Sequence, residues 1–168
     1  CYGIENAGLS GVWNFGKKVG DTIKGKRKPV SSTLSADMDI TPEQVLRIAL
    51  QTARNQERFS PETIRRLRQA NLVILDPWTD ELRELFIDLL LVGHDAIPVF
   101  ETLDQLDLFV PFLPEWKPAR SRPQRNAYHR FTVDRHLLET AAEASKLADR
   151  VDRPDLLVIG ALLHDIGK

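Results

Sequence analysis

Histidine and aspartate are the side chains here with the most chemistry to offer, and they are unevenly placed. There are four histidines, two of which stand directly before an aspartate, as His94-Asp95 and His164-Asp165. His94-Asp95 follows Gly93 at the end of an amphipathic segment, where a polar pair commonly occupies the helix-ending turn, so it reads as a surface cap. His164-Asp165 instead closes residues 156–163, eight positions without a polar side chain. A helix apolar on all sides is expected to be buried. Two ionisable groups at its end then need polar or metallic partners, because burying them alone is costly.

His136 lies 28 residues before His164 and flanks the apolar stripe of the preceding helical segment. If the two helices pack antiparallel through the short Asp152-Arg153-Pro154 turn, the first turn of one meets the last turn of the other. His136 then approaches His164 and Asp165. Two imidazoles and a carboxylate suit a divalent transition metal or magnesium. Taken alone, His136 also fits a satisfied histidine on a helix surface. His129, seven residues before His136, is expected just outside that helix and is assigned to substrate phosphate rather than metal, the alternative being a loop histidine. Arg122, Arg125 and Arg130 are placed to add bidentate hydrogen bonds to a phosphate, or else to be solvated surface.

The elements that must hold these residues are helical. Thr41-Pro42-Glu43 combines a capping residue with proline at the first helical position, and Val45, Leu46, Ala49, Leu50 and Ala53 form one apolar face. Ser60-Pro61-Glu62 repeats the signal ahead of Ile64, Leu67 and Leu72. Pro77-Trp78-Thr79 precedes Leu82, Leu85, Phe86, Leu89 and Leu90, spaced by three and four and ended by Gly93. A fourth helix runs from about Ala96 to Leu106. Val133 to Val151 reads as one long helix starting near Thr132 or Asp134, and a final apolar helix spans 154 to 166. The expected class is all-α, in four segments: 1–40 an irregular, poorly ordered or linker segment; 41–116 a helical connector module; 117–127 an extended connector with two prolines and three arginines; and 128–168 the start of a further domain. The cluster Lys17, Lys18, Lys24, Lys26, Arg27 and Lys28 reads as solvated linker.

Composition narrows the classes. The chain has 168 residues, 23 basic and 24 acidic, with 42% hydrophobic and 28% charged residues, close to a globular average. A net charge of -1 provides no global field for nucleic acid, so none is expected as a partner. The eight-residue apolar run is far short of the roughly 18 a membrane span needs. One cysteine excludes an internal disulfide framework and fits a reducing cytoplasm.

Leu162-Leu163-His164-Asp165-Ile166-Gly167-Lys168, with His136 opening a helix upstream, resembles the start of an HD-superfamily metal-dependent phosphohydrolase domain. The string Arg122-Pro123-Gln124-Arg125-Asn126-Ala127-Tyr128-His129-Arg130-Phe131-Thr132-Val133-Asp134-Arg135-His136, with Arg153-Pro154-Asp155-Leu156-Leu157, is more specific. With Leu113-Pro114-Glu115-Trp116 it resembles the family of bifunctional PII uridylyltransferase/uridylyl-removing enzymes over roughly residues 41–168. The resemblance implies a nitrogen-regulatory enzyme that transfers a nucleotidyl group to a PII signalling protein and removes it hydrolytically. The hydrolase half would belong to this stretch. It also implies a magnesium or manganese site at His136, His164 and Asp165, with a later aspartate expected beyond Lys168, so that the fragment alone is expected to be inactive. Asp37-Met38-Asp39 has the carboxylate spacing of the transferase half but lacks the Gly-Ser lead, and reads as the approach to a helix cap. Another HD nucleotide phosphohydrolase and a noncatalytic helical interaction fragment are the competing readings.

Overall fold

A capping side chain starts each of the first three helices, with proline at the first helical position in the first two. In the computed structural model, which describes residues 40–123 and 132–167, Thr41 caps α1 (Pro42–Arg54). The Thr41 hydroxyl accepts from the Gln44 amide while the Gln44 side chain accepts from the Thr41 amide, a reciprocal capping box. Ser60 caps α2 (Pro61–Leu67) by accepting from the Thr63 amide, and Thr79 caps α3 (Asp80–Leu91) by accepting from the Leu82 amide, each without the reciprocal bond. A short 3-10 turn, Gly93–Ala96, leads into α4 (Ile97–Gln105), and α5 (Val133–Ser145) and α6 (Pro154–Leu163) complete the chain. Among the described residues there are six α-helices and no strand. None of these helices is long and apolar enough to cross a membrane. The expectations for residues 1–39, including Asp37 and Asp39, and for Arg125, His129, Arg130 and Lys168 lie outside the described residues.

The apolar faces converge on one core. Val45, Leu46 and Ala49 of α1, Leu82, Phe86 and Leu89 of α3, and Val99, Phe100 and Leu103 of α4 are buried together with Leu137, Leu138, Ala141 and Ala142 of α5 and Val158 and Leu162 of α6. The connector module and the helices after it therefore share a single hydrophobic interior. At the rim of the α1–α3 interface, Arg54 pairs with Asp88 at 2.8 Å, Arg47 pairs with Glu81, and Thr79 donates to Glu43.

A second set of contacts links α4 to the segment that leads toward α5. Asp104 accepts from the Trp116 indole N–H at 3.1 Å, and Arg120 pairs with both Asp104, at 3.0 Å, and Asp107, at 2.7 Å. The sequence of 117–127 predicts an extended connector. Its described part instead makes turns over 117–121 with Ala119 buried, because Arg120 is drawn back onto α4. From there Ser121 donates its amide to Asp134, at 2.7 Å, and Arg122 accepts from the Val133 amide, at 2.9 Å. These two bonds fix the start of α5. Thr132 is its N-cap residue, but the side-chain acceptor is Asp134.

Burial raises the Asp104 pKa above the usual carboxylate value of 3.8, and Arg120 offsets part of that rise. A carboxyl raised in the folded state binds its proton more tightly there than in the unfolded chain, so its contribution to stability is full below 3.8 and is lost as the pH climbs through the folded value. Wild type should therefore lose stability relative to Asp104→Asn as pH rises from about 3.8 to neutral. Urea denaturation of both proteins across that range checks it, and a difference independent of pH would contradict it.

Two expectations about the last helices change. The helix from Val133 stops at Ser145 rather than reaching Val151, and a 3-10 turn, Ala148–Arg150, follows. Leu147 and Val151, which carried the apolar period onward, are exposed. Helix α6 has no polar face, yet only Val158 and Leu162 are fully buried, and Leu156 is 59% exposed. Its inner side packs on α5, while its outer side carries leucine toward solvent.

Candidate metal centre

The hairpin of α5 and α6 brings His136, His164 and Asp165 together. His136 lies in the first turn of α5, one residue before buried Leu137 and Leu138, so its ring sits half-buried at the edge of the packed face. His164 caps the C-terminus of α6, and Asp165 lies in the turn that follows. Because the two helices run antiparallel, these ends are adjacent. The imidazoles of His136 and His164 meet edge to face with centroids 5.3 Å apart. One ligand atom from each of the three residues lies within 4.8 Å of the others, and His164 Nε2 is 3.6 Å from Asp165 Oδ2.

This donor set fits a divalent ion. Two donors each about 2.1 Å from one ion are no more than about 4.2 Å apart, so the three atoms need only small side-chain rotations to share one. His164 is already oriented. Its Nδ1 is 2.8 Å from the Ala161 carbonyl, where it must donate, which leaves Nε2 as the lone-pair nitrogen facing His136 and Asp165. Sequence reading missed the Ala161 carbonyl. The only signal for it was the helical spacing, since a residue just past a helix end can reach a free carbonyl three positions back.

The remaining candidates are distributed differently. Arg122 is used by its backbone at the α5 start, whereas the phosphate-binding roles expected of Arg125, His129 and Arg130 fall on residues outside those described. His94-Asp95 is more than a surface cap. It belongs to the Gly93–Ala96 turn, where His94 Nε2 sits 3.2 Å from Glu139 and 3.2 Å from Glu143, both on α5. Asp95 accepts from Gln56 at 2.9 Å. The partners of His94 are more than 40 residues away in sequence, out of reach of a local reading.

Residues 133–168, the α5–α6 hairpin and the turn after it, match the family model described as "HD domain". The chain is 46% identical over 127 residues to the bifunctional uridylyltransferase/uridylyl-removing enzyme of Streptomyces coelicolor, covering 76% of this chain and 15% of that protein. It is 41% identical over 133 residues to the enzyme of the same name from Mycobacterium tuberculosis, covering 79% of this chain and 16% of that one. That of Ruegeria pomeroyi is 30% identical over 142 residues, covering 74% and 16%. The chain thus spans about one sixth of the length of the curated relatives it matches. No solved structure matches it. Across the three quarters that align, the chain is similar to bifunctional uridylyltransferase/uridylyl-removing enzymes, and its residues 133–168 match an HD domain.

Proposed function

We propose that this stretch contributes the metal-dependent phosphodiester hydrolase part of a nitrogen-regulatory enzyme that nucleotidylylates a PII signalling protein and removes the nucleotidyl group. The observation that carries the reading is the convergence of His136, His164 and Asp165 inside the segment that matches an HD domain. In this reading the three residues hold magnesium or manganese. Bound there, a divalent ion supplies Lewis acidity, lowering the pKa of a water and polarising the phosphoryl oxygen. The chain's own residues do the positioning. His164 presents Nε2 because Ala161 holds its other nitrogen, and Asp165 adds the negative charge that a divalent cation needs. Arg125, Arg130 and His129 are assigned to the phosphate of the substrate, where guanidinium groups give bidentate hydrogen bonds. The single cysteine among 168 residues is consistent with work in a reducing cytoplasm.

The test is release of UMP from a uridylylated PII protein by the enzyme that carries this sequence, in the presence of manganese. Asp165→Asn keeps the shape of the side chain and removes its charge. It is expected to lower the rate by more than the roughly 10- to 100-fold that loss of an outer partner costs a metal site. Unchanged release by that variant would rule out the assignment. Turnover of free nucleotides but not of the uridylylated protein would favour a different HD phosphohydrolase.

A further inference from the structure

Helix α5 carries His136, and its buried face is uneven, with Val133, Leu137 and Leu138 packed in its first half. Beyond Leu137 and Leu138, the inward residues of its second half are Ala141 and Ala142, small side chains that interlock little with their neighbours. Rotation matters here. At the side-chain radius of a helix, about 5–6 Å, a turn of 10° about the axis displaces a group by about 1 Å. Metal-ligand distances tolerate only about 0.2 Å.

Beside the core, one polar side chain is held from two directions and can set the angle. Glu139 accepts from Arg135 Nε at 2.9 Å, one turn back on the same helix, and Arg135 is itself anchored by Glu101 of α4. On its other oxygen Glu139 meets His94 Nε2 of the Gly93–Ala96 turn at 3.2 Å. That turn sits hard against α5. Gly93 has φ +80°, and a Cβ there would come within 2.7 Å of Ser145 Oγ. Glu139 is three residues after His136, on the adjoining face, and its side chain is only 21% exposed. Glu143, one turn further, also meets His94 but is largely exposed and is shared with Lys146.

We propose that Glu139, clamped between Arg135–Glu101 on α4 and His94 on the preceding turn, is a positioning residue that sets the rotation of α5 and so the distance of His136 from His164 and Asp165. The connector helices thereby act on the metal centre without touching it. This rests on the hydrolase reading only for the identity of the ion. The placement of the two rings is independent of it.

The test uses Glu139→Gln in the full chain, with two readouts. In the metal-free protein, NMR cross-relaxation between the ring protons of His136 and His164 reports their approach, for which the centroids are 5.3 Å apart in the wild type. Calorimetric titration with Mn2+ reports the site. Glu139→Gln is expected to weaken the ring-to-ring signal and to raise the Kd for Mn2+ about tenfold, at a temperature where circular dichroism shows it folded. His94→Gln, which removes one arm of the clamp from an exposed position, is expected to move both readouts the same way by a smaller factor. A full ring-to-ring signal with a Kd within about twofold of wild type in Glu139→Gln would overturn the proposal. Should that variant fail to fold, the same result in His94→Gln would overturn it. If the wild type binds no Mn2+, the metal reading fails and the ring-to-ring signal alone decides the clamp.

Discussion

Replacing His136 with alanine is expected to lower affinity for Mn2+ by at least about 100-fold while leaving the fold in place. The site has three protein donors among the described residues, and alanine removes one outright, a larger loss than disturbing a partner behind a ligand. The stability cost should be small, about 1 kcal/mol or less, because His136 is only half-buried and the packing of α5 rests on Val133, Leu137 and Leu138. Affinity and stability should thus separate. The comparison also discriminates against the other acidic surface nearby. Glu101, Asp104 and Asp134 line a small cleft of about 80 Å³ between α4 and the start of α5, together with Arg135, Thr132, Trp116 and Leu138. A cation held there would be indifferent to position 136. It would also compete with the guanidinium of Arg135, already paired with Glu101 and Glu139. Calorimetric titration of wild type and His136→Ala settles it. Equal affinities would place the ion elsewhere and remove the physical basis of the hydrolase assignment.

Much of this centre was legible in the sequence because its signals are local or follow from one packing rule. Thr41-Pro42, Ser60-Pro61 and Thr79 are side-chain caps whose hydrogen bonds form within three residues, so they start helices wherever they occur. The meeting of His136 with His164 followed from two helical segments and a short turn, which leaves an antiparallel hairpin as the simplest packing. What failed depended on distant partners. The apolar period running through Leu147 and Val151 predicted a longer α5, yet periodicity carries no information about whether a neighbour exists to cover those side chains, and both are exposed. Helix α6 makes the same point: an all-apolar composition says that no side must face water, but not which side is covered. His94 was read by the glycine beside it, whereas its role is set by Glu139 and Glu143 on another helix. The division between connector and HD helices was drawn at a proline- and arginine-rich stretch. The core runs across it, because Leu103 and Leu137 are buried in the same cluster.

Trp116→Ala is expected to be the most destabilising single substitution among those considered, at about 3–5 kcal/mol. The indole is 1% exposed and packs edge to face on Phe109 with centroids 4.8 Å apart, in a group of rings that continues through Phe86 and Phe100. Truncation leaves a cavity the surrounding helices can fill only in part. It also strips a donor from Asp104, whose carboxylate is already disfavoured by burial and would then depend on Arg120 alone. Trp116→Phe separates the two contributions. It keeps one ring against Phe109 but loses the N–H and part of the buried indole volume, so it should cost about 1.5–3 kcal/mol, less than removing the whole side chain. Set against a total stability of about 5–15 kcal/mol, the alanine variant would be marginal at 37 °C, whereas the phenylalanine variant should remain folded. The effect should spread to the metal centre, because Asp104 holds Arg120, the next residue Ser121 ties to Asp134, and Asp134 lies in the first turn of the helix that carries His136. Urea denaturation of the three proteins gives the ordering. A phenylalanine variant as unstable as the alanine variant would mean that the hydrogen bond to Asp104, rather than the ring packing, dominates at this position.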